Sequence, residues 1–210
     1  MAVFETPSQS PAQRVRAAHP GSGRVASAPG TWVLIGENVD HFGGVTLAGT
    51  AALRAAAAVS PRPDRVVAVS ARGPLGQEFS AQLPFDEEPA DGLARRWWGL
   101  VHTLVQRQVL SRDTAGVDIT VESDVPVGAG LGALYAADAA ITLALAGAHD
   151  DVDTAPFRAR LADICSHSMA TYSSLPVLRA RHSVALRGAE GVSVVDLSLI
   201  HISEPTRPRL

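Results

Sequence analysis

The chain has 210 residues, of which 46% are hydrophobic and 19% charged, and a formal net charge of -3. That is the balance of a folded protein with material for one large domain or two small ones, and it gives no electrostatic footing for nucleic acid. No apolar run is long enough to span a membrane, and a lone cysteine, Cys165, excludes an internal disulfide framework, so a reducing cytoplasm is the expected setting.

Residues 1–23 are rich in Ser, Pro, Gln, Ala and Gly without periodicity, and read as a mobile lead-in. Short extended runs follow at 25–28, 32–35, 52–60, 66–71 and 79–83, separated by Gly, Pro and Asp clusters. Residues 84–92 form an acidic loop. The next stretch, 93–110, sets Trp97, Leu100, Val101, Leu104 and Val105 at helical spacing. Residues 117–122 alternate as a strand. A helix of small apolar residues is expected over 131–146, with Gly147 as its stop, and an amphipathic helix over 154–172. Residues 184–186 and 192–197 read as a closing hairpin around 188–191. The tail, 198–210, continues no earlier pattern and is expected to be non-native read-through outside the fold. Every basic residue apart from histidine is arginine, which removes lysine clamps and Schiff-base chemistry.

Two segments carry chemistry. In the first, the apolar run Trp32 to Ile35 passes directly into Glu37, Asn38 and Asp40 and then Gly43 and Gly44. A strand that ends among carboxylates and an amide suits a polyhydroxylated ligand, whose hydroxyls need partners once they leave water; a charged glycine turn is the plainer alternative. In the second, Gly128, Ala129, Gly130, Leu131 and Gly132 lie between a strand and a helix start. Glycines there admit phosphate oxygens to the backbone, and helix N–H groups favour negative charge; a tight turn is the alternative.

The first segment, with Ala28, Pro29 and Gly30 before it, resembles the signature of galactokinases within the GHMP family of small-molecule kinases, and Asp124 to Leu131 resembles that family's phosphate loop. The resemblance covers about residues 24–197 and implies an α/β fold: an α+β mixed sheet backed by helices, the N-terminal GHMP domain (ribosomal protein S5 domain 2-like), with a C-terminal domain expected beyond it. It implies ATP and Mg²⁺ as cofactors and a small-molecule sugar as partner, with transfer of the γ-phosphate to the anomeric hydroxyl of galactose or a related sugar. Glu37, Asn38, Asp40 and Gly43 are then the substrate contacts. Gly128 to Gly132 hold the nucleotide, and Trp98, or its neighbour Trp97, flanks the base unless it is simply core.

The chain also departs from the family pattern. Thr31 stands at the position of an arginine that stabilises charge in phosphoryl transfer, and Asn38 at that of a sugar-contacting histidine. Gly132, Ala133 and Leu134 replace three serines, one of them metal-facing. The segment 174–182, where a catalytic aspartate is expected, holds no acid, so no catalytic residue is assigned and the metal ligands stay unknown. Arg179 and Arg181 in that segment are read as a solvated face, or else as cations compensating for Thr31. The alternative to a working kinase is a catalytically weakened relative that binds sugar or nucleotide as a sensor or regulator.

Overall fold

Two long strands form the spine of the fold. β1 (Arg24–Ile35) and β2 (Val45–Arg62) run antiparallel, with Arg24 opposite Val59 and Ile35 opposite Leu47. The computed structural model describes residues 9–19, 21, 23–37, 39, 43–187 and 191–198. Sequence reading breaks β1 at Pro29 and Gly30, but the strand runs through them with a register shift between Pro29 and Thr31. A proline is tolerated because β1 is an edge strand, whose outer side asks for no N–H donor.

β3 (Val66–Arg72) and β4 (Glu78–Pro84) form an antiparallel pair, and β3 lies parallel to β5 (Gly116–Ser123), which pairs antiparallel with β2. The sheet order is β1-β2-β5-β3-β4, and β6 (Val192–Asp196) adds to the first residues of β2, with Val45 opposite Asp196. The mixed α/β architecture expected from sequence is therefore present.

Alternation along β2 assigns its two faces. Ala55, Ala57 and Val59 belong to the main core, while Ala56 and Ala58 meet Val15 on the other side. Against the main face packs α3 (Ala133–Ala146), in which eleven of fourteen residues are buried, so this helix is apolar all round and central. Outside it lie α2 (Leu93–Gln106), α4 (Ala155–Tyr172) and α5 (Arg179–Arg187). Cys165, on α4, is buried beside Thr142 at 3.1 Å, and burial pushes its thiol up to about 12; it is a core residue.

Two expectations are corrected. Within the supposed lead-in, α1 (Pro11–Ala18) is a helix with a capping box between Ser10 and Gln13 and a proline in its first turn. It is held to the sheet by fully buried Val15 and by Arg14, which bonds Glu122 (3.1 Å) and Asp124 (2.7 Å). The extended run expected at 184–186 belongs instead to α5. Its buried residues include Arg181, His182 and Ser183, so polar side chains occupy the inward face and no hydrophobic period is visible in the sequence. Ser198 is the last described residue of the expected tail; the rest lies outside the described residues.

Candidate functional site

The end of β1 and the loop after β5 come together. Thr31 donates its N–H to the Leu131 carbonyl at 2.9 Å, so the strand and the glycine loop share a backbone bond. Beyond β1, the Glu37 side chain is 56% exposed. Gly43, with φ +71°, lies in the turn before β2, where the neighbouring Gly44 carbonyl accepts from Leu197 N–H at 2.8 Å. Asn38, Asp40 and the adjacent His41 lie outside the described residues.

The loop itself is open. Residues 127–130 are exposed, Gly128 and Gly130 have φ of +82° and +75°, and nothing lies within 4 Å of where a Cβ would stand on either. No side chain caps the start of α3 and its first turn holds no acid, so its N–H groups are available to an anion. An open loop with unpaired helix N–H groups at its end is the donor type that oxyanions take.

Gly132 marks where the site differs from a simple phosphate loop. It adopts φ +62°, and a Cβ there would lie 2.7 Å from Thr31 Oγ1 and 3.1 Å from Arg181 Nη1. Arg181 is buried, not solvated. Its Nη1 donates to the Thr31 carbonyl (2.7 Å) and the Gly130 carbonyl (3.0 Å), and its Nη2 to Glu37 Oε1 (3.2 Å). One guanidinium therefore joins the strand end, the glycine loop and the first of the expected sugar contacts. Thr31 is fully buried and its hydroxyl has no partner among the described residues. Three of the places that depart from the family pattern, Thr31, Gly132 and the segment of Arg181, meet at one point.

Behind this point sits a second polar cluster that sequence reading missed. Asp138, on α3, accepts from Arg96 Nη2 (2.5 Å), Trp97 Nε1 (3.0 Å) and His182 Nε2 (3.1 Å). His182 Nδ1 in turn accepts from Ser166 Oγ at 3.1 Å. Burial opposes ionisation of Asp138, but the Arg96 charge and the His182 and Arg96 bonds outweigh it and hold the pKa at about 2. His182 is lowered, chiefly by burial and only partly offset by Asp138, so it is neutral with its proton on Nε2. The cluster pins α5 to α3 and thereby delivers Arg181 to the loop. An acid inside an alanine-rich helix is the only signal the sequence offers for it.

Trp98 does not flank an open site. It is 6% exposed, stacks on His102 with ring centroids 3.8 Å apart and donates to the Pro84 carbonyl at 3.0 Å. Trp97, one residue away and about 100° round the helix, lines instead an apolar cavity of about 130 Å³ beside the loop, with Phe79, Leu93, Val127 and Leu134. A planar base suits those walls. A larger groove, of about 910 Å³, lies elsewhere between β1, β2 and the helices and does not include the loop.

The implied magnesium fits less well. No group of three or more His, Cys, Asp or Glu residues able to hold a metal exists among the described residues. The buried carboxylate of Asp138 is saturated by its partners, and the space beside Gly132 is taken by a hydroxyl and a guanidinium. The acidic runs at 86–88 and 150–153 are solvent-side, with Asp86 paired to Arg65 and Asp153 to Arg158.

The Methanococcus jannaschii mevalonate kinase superposes with a TM-score of 0.61 at 14% identity, covering 84% of this chain and 54% of that one. Lactococcus lactis galactokinase, solved with galactose, gives 0.60 at 15% identity, covering 88% and 50%. The fold is that of the GHMP kinases. In sequence, residues 14–61 match the galactokinase galactose-binding signature. The Chloroflexus aurantiacus galactokinase is 32% identical over 125 residues, 59% of this chain and 30% of that protein, and the dog galactokinase 27% identical over 188 residues, 85% and 47%. The chain spans less than half the length of these relatives, and what it resembles is the N-terminal portion of a galactokinase.

Proposed function

We propose that this chain binds a hexose and ATP in the galactokinase manner but transfers phosphate poorly, acting as a sugar- and nucleotide-responsive sensor or regulator in the cytoplasm. Glu37 and, by the resemblance, Asn38, Asp40 and Gly43 take the sugar hydroxyls. Gly128 to Gly132 take the phosphates and the cavity beside Trp97 takes the base. ATP, when bound, supplies the γ-phosphoryl group.

One observation carries the weakened reading. Where Thr31, the glycine loop and α5 meet, the charged group is the Arg181 guanidinium, and its carboxylate partner among the described residues, Glu37, is tied to that cation. A base must be free to accept a proton from the attacking hydroxyl, and a general base contributes about 10²–10⁴ in rate. Arg181 also favours a second reading, an active galactokinase-type enzyme. Its Nη1 lies 2.7 Å from the Thr31 carbonyl, so it returns a cation to the neighbourhood where Thr31 removes one.

Thermal melting and product formation together separate the readings. With galactose and ATP at saturation, the melting temperature is expected to rise while neither ADP nor sugar 1-phosphate accumulates. Steady ADP release with galactose or a related sugar would establish the enzyme and sink the sensor. An unchanged melting temperature with every sugar tried, alone and with ATP, would remove both.

A further inference from the structure

The departures at Thr31, Gly132 and Arg181 are three parts of one rebuilt site. The absent side chain at Gly132 leaves the space that the Thr31 hydroxyl and the Arg181 guanidinium occupy, at 2.7 and 3.1 Å from the Cβ position. We infer that the glycine loop binds the polyphosphate of a nucleoside triphosphate without a divalent cation, Arg181 supplying the resident positive charge. This rests on the nucleotide-binding reading above and adds to it the charge state of the ligand.

Two independent features support it. The first is an unbalanced buried cation. The Arg181 side chain is 7% exposed, and its one ionic partner among the described residues is Glu37, 3.2 Å away and 56% exposed. A water-screened carboxylate neutralises a buried charge poorly, so positive potential remains at the loop, where it adds to the N-terminal field of α3. The second is the Thr31 hydroxyl. It is fully buried, lacks a partner among the described residues and points at Gly132, the first residue before the helix. A buried hydroxyl left unpaired costs free energy that a ligand oxygen reaching the start of α3 would recover.

The donor set matches this assignment. Guanidinium, hydroxyl and backbone N–H groups all recognise oxyanions, whereas Mg²⁺ asks for carboxylate and water oxygens in near-octahedral array. The uncomplexed nucleotide carries more negative charge than its magnesium complex, so a site with its own cation favours the free form.

Calorimetric titration with ATP, adenosine and inorganic tripolyphosphate, each in Mg²⁺ and in EDTA, tests the point. ATP and tripolyphosphate are expected to bind in EDTA at least as tightly as in Mg²⁺, with adenosine indifferent to the change. ATP binding weakened about tenfold or more by EDTA would overturn the inference and leave the nucleotide reading standing. Binding of ATP in EDTA without binding of tripolyphosphate would overturn it too, because the base would then carry the affinity. No ATP binding in either buffer would overturn inference and reading together. Arg181→Met is expected to weaken ATP in EDTA by about tenfold or more, with Arg181→Lys recovering part of the loss. An unchanged affinity in folded Arg181→Met sinks the role of Arg181. Should that variant not fold, Thr31→Val is expected to cost about threefold or more in EDTA, and no loss there would count against the site.

Discussion

Arg181 and His182 are neighbours on one short helix, both buried, and they belong to opposite kinds of polar network. His182 enters a sealed cluster in which Asp138, Arg96, Trp97 and Ser166 satisfy one another and the charges balance. Arg181 enters an open one, where two backbone carbonyls and a half-exposed carboxylate are its polar partners among the described residues. The sealed network has no unpaired polar group to offer a ligand; its work is to hold α5 in place. The open network has unspent charge and an unpaired hydroxyl beside an exposed loop. Completeness of pairing, more than burial, separates structural polar residues from candidate functional ones in this fold.

The sealed cluster gives the largest expected effect. Asp138→Ala strands the buried Arg96 guanidinium and should cost about 3–5 kcal/mol, read as a drop in the denaturant midpoint at unchanged slope. A loss under about 1 kcal/mol would mean the cluster does not hold the helices together. Gly132→Ser comes next, because it puts a side chain in the left-handed region and into the Thr31 hydroxyl, for about 1–2 kcal/mol from the backbone alone. Combined with Thr31→Gly, that penalty should shrink, and equal costs in both backgrounds would show that the two positions are uncoupled.

The smallest effect is a pH dependence. Burial lowers His19, His102 and His182 from the ordinary value. The unfolded chain therefore takes up protons that the folded one refuses, and stability present above about pH 6.5 is lost as the pH falls below it. Unfolding midpoints at pH 7.5 and 5.5 check the sign; a higher midpoint at the lower pH would rule out burial of these histidines as the controlling factor.

Most of the sheet and the helices α2 and α4 were legible because their residues follow a local period, and α3 because its small apolar residues run unbroken between glycines. The glycine loop was legible for the same reason, as strand, glycines and helix adjoin in sequence. α1 was hidden in a stretch of low hydropathy, although the spacing of Ser10 and Gln13 with Pro11 between them is a readable capping signal. α5 gave no signal, since its inward face is polar and Arg181 and His182 find their partners far away in the chain. The contact of Arg181 with Thr31 spans 150 positions and no local pattern encodes it. Trp97 and Trp98 are separable only once the helix is placed, because a rotation of one residue decides which ring meets the cavity.

The shared hydrogen bond between Thr31 and Leu131 has a kinetic side. The glycine loop is fixed at one end by β5 and at the other by α3, and next to α3 its Leu131 carbonyl is tied to the edge strand β1. A loop anchored at three places has little freedom left to surrender, so a ligand that docks there pays little ordering entropy and waits for no rearrangement. Differences in affinity among anions at this loop should accordingly show up in how long they stay, with their arrival rates set by charge and salt alone.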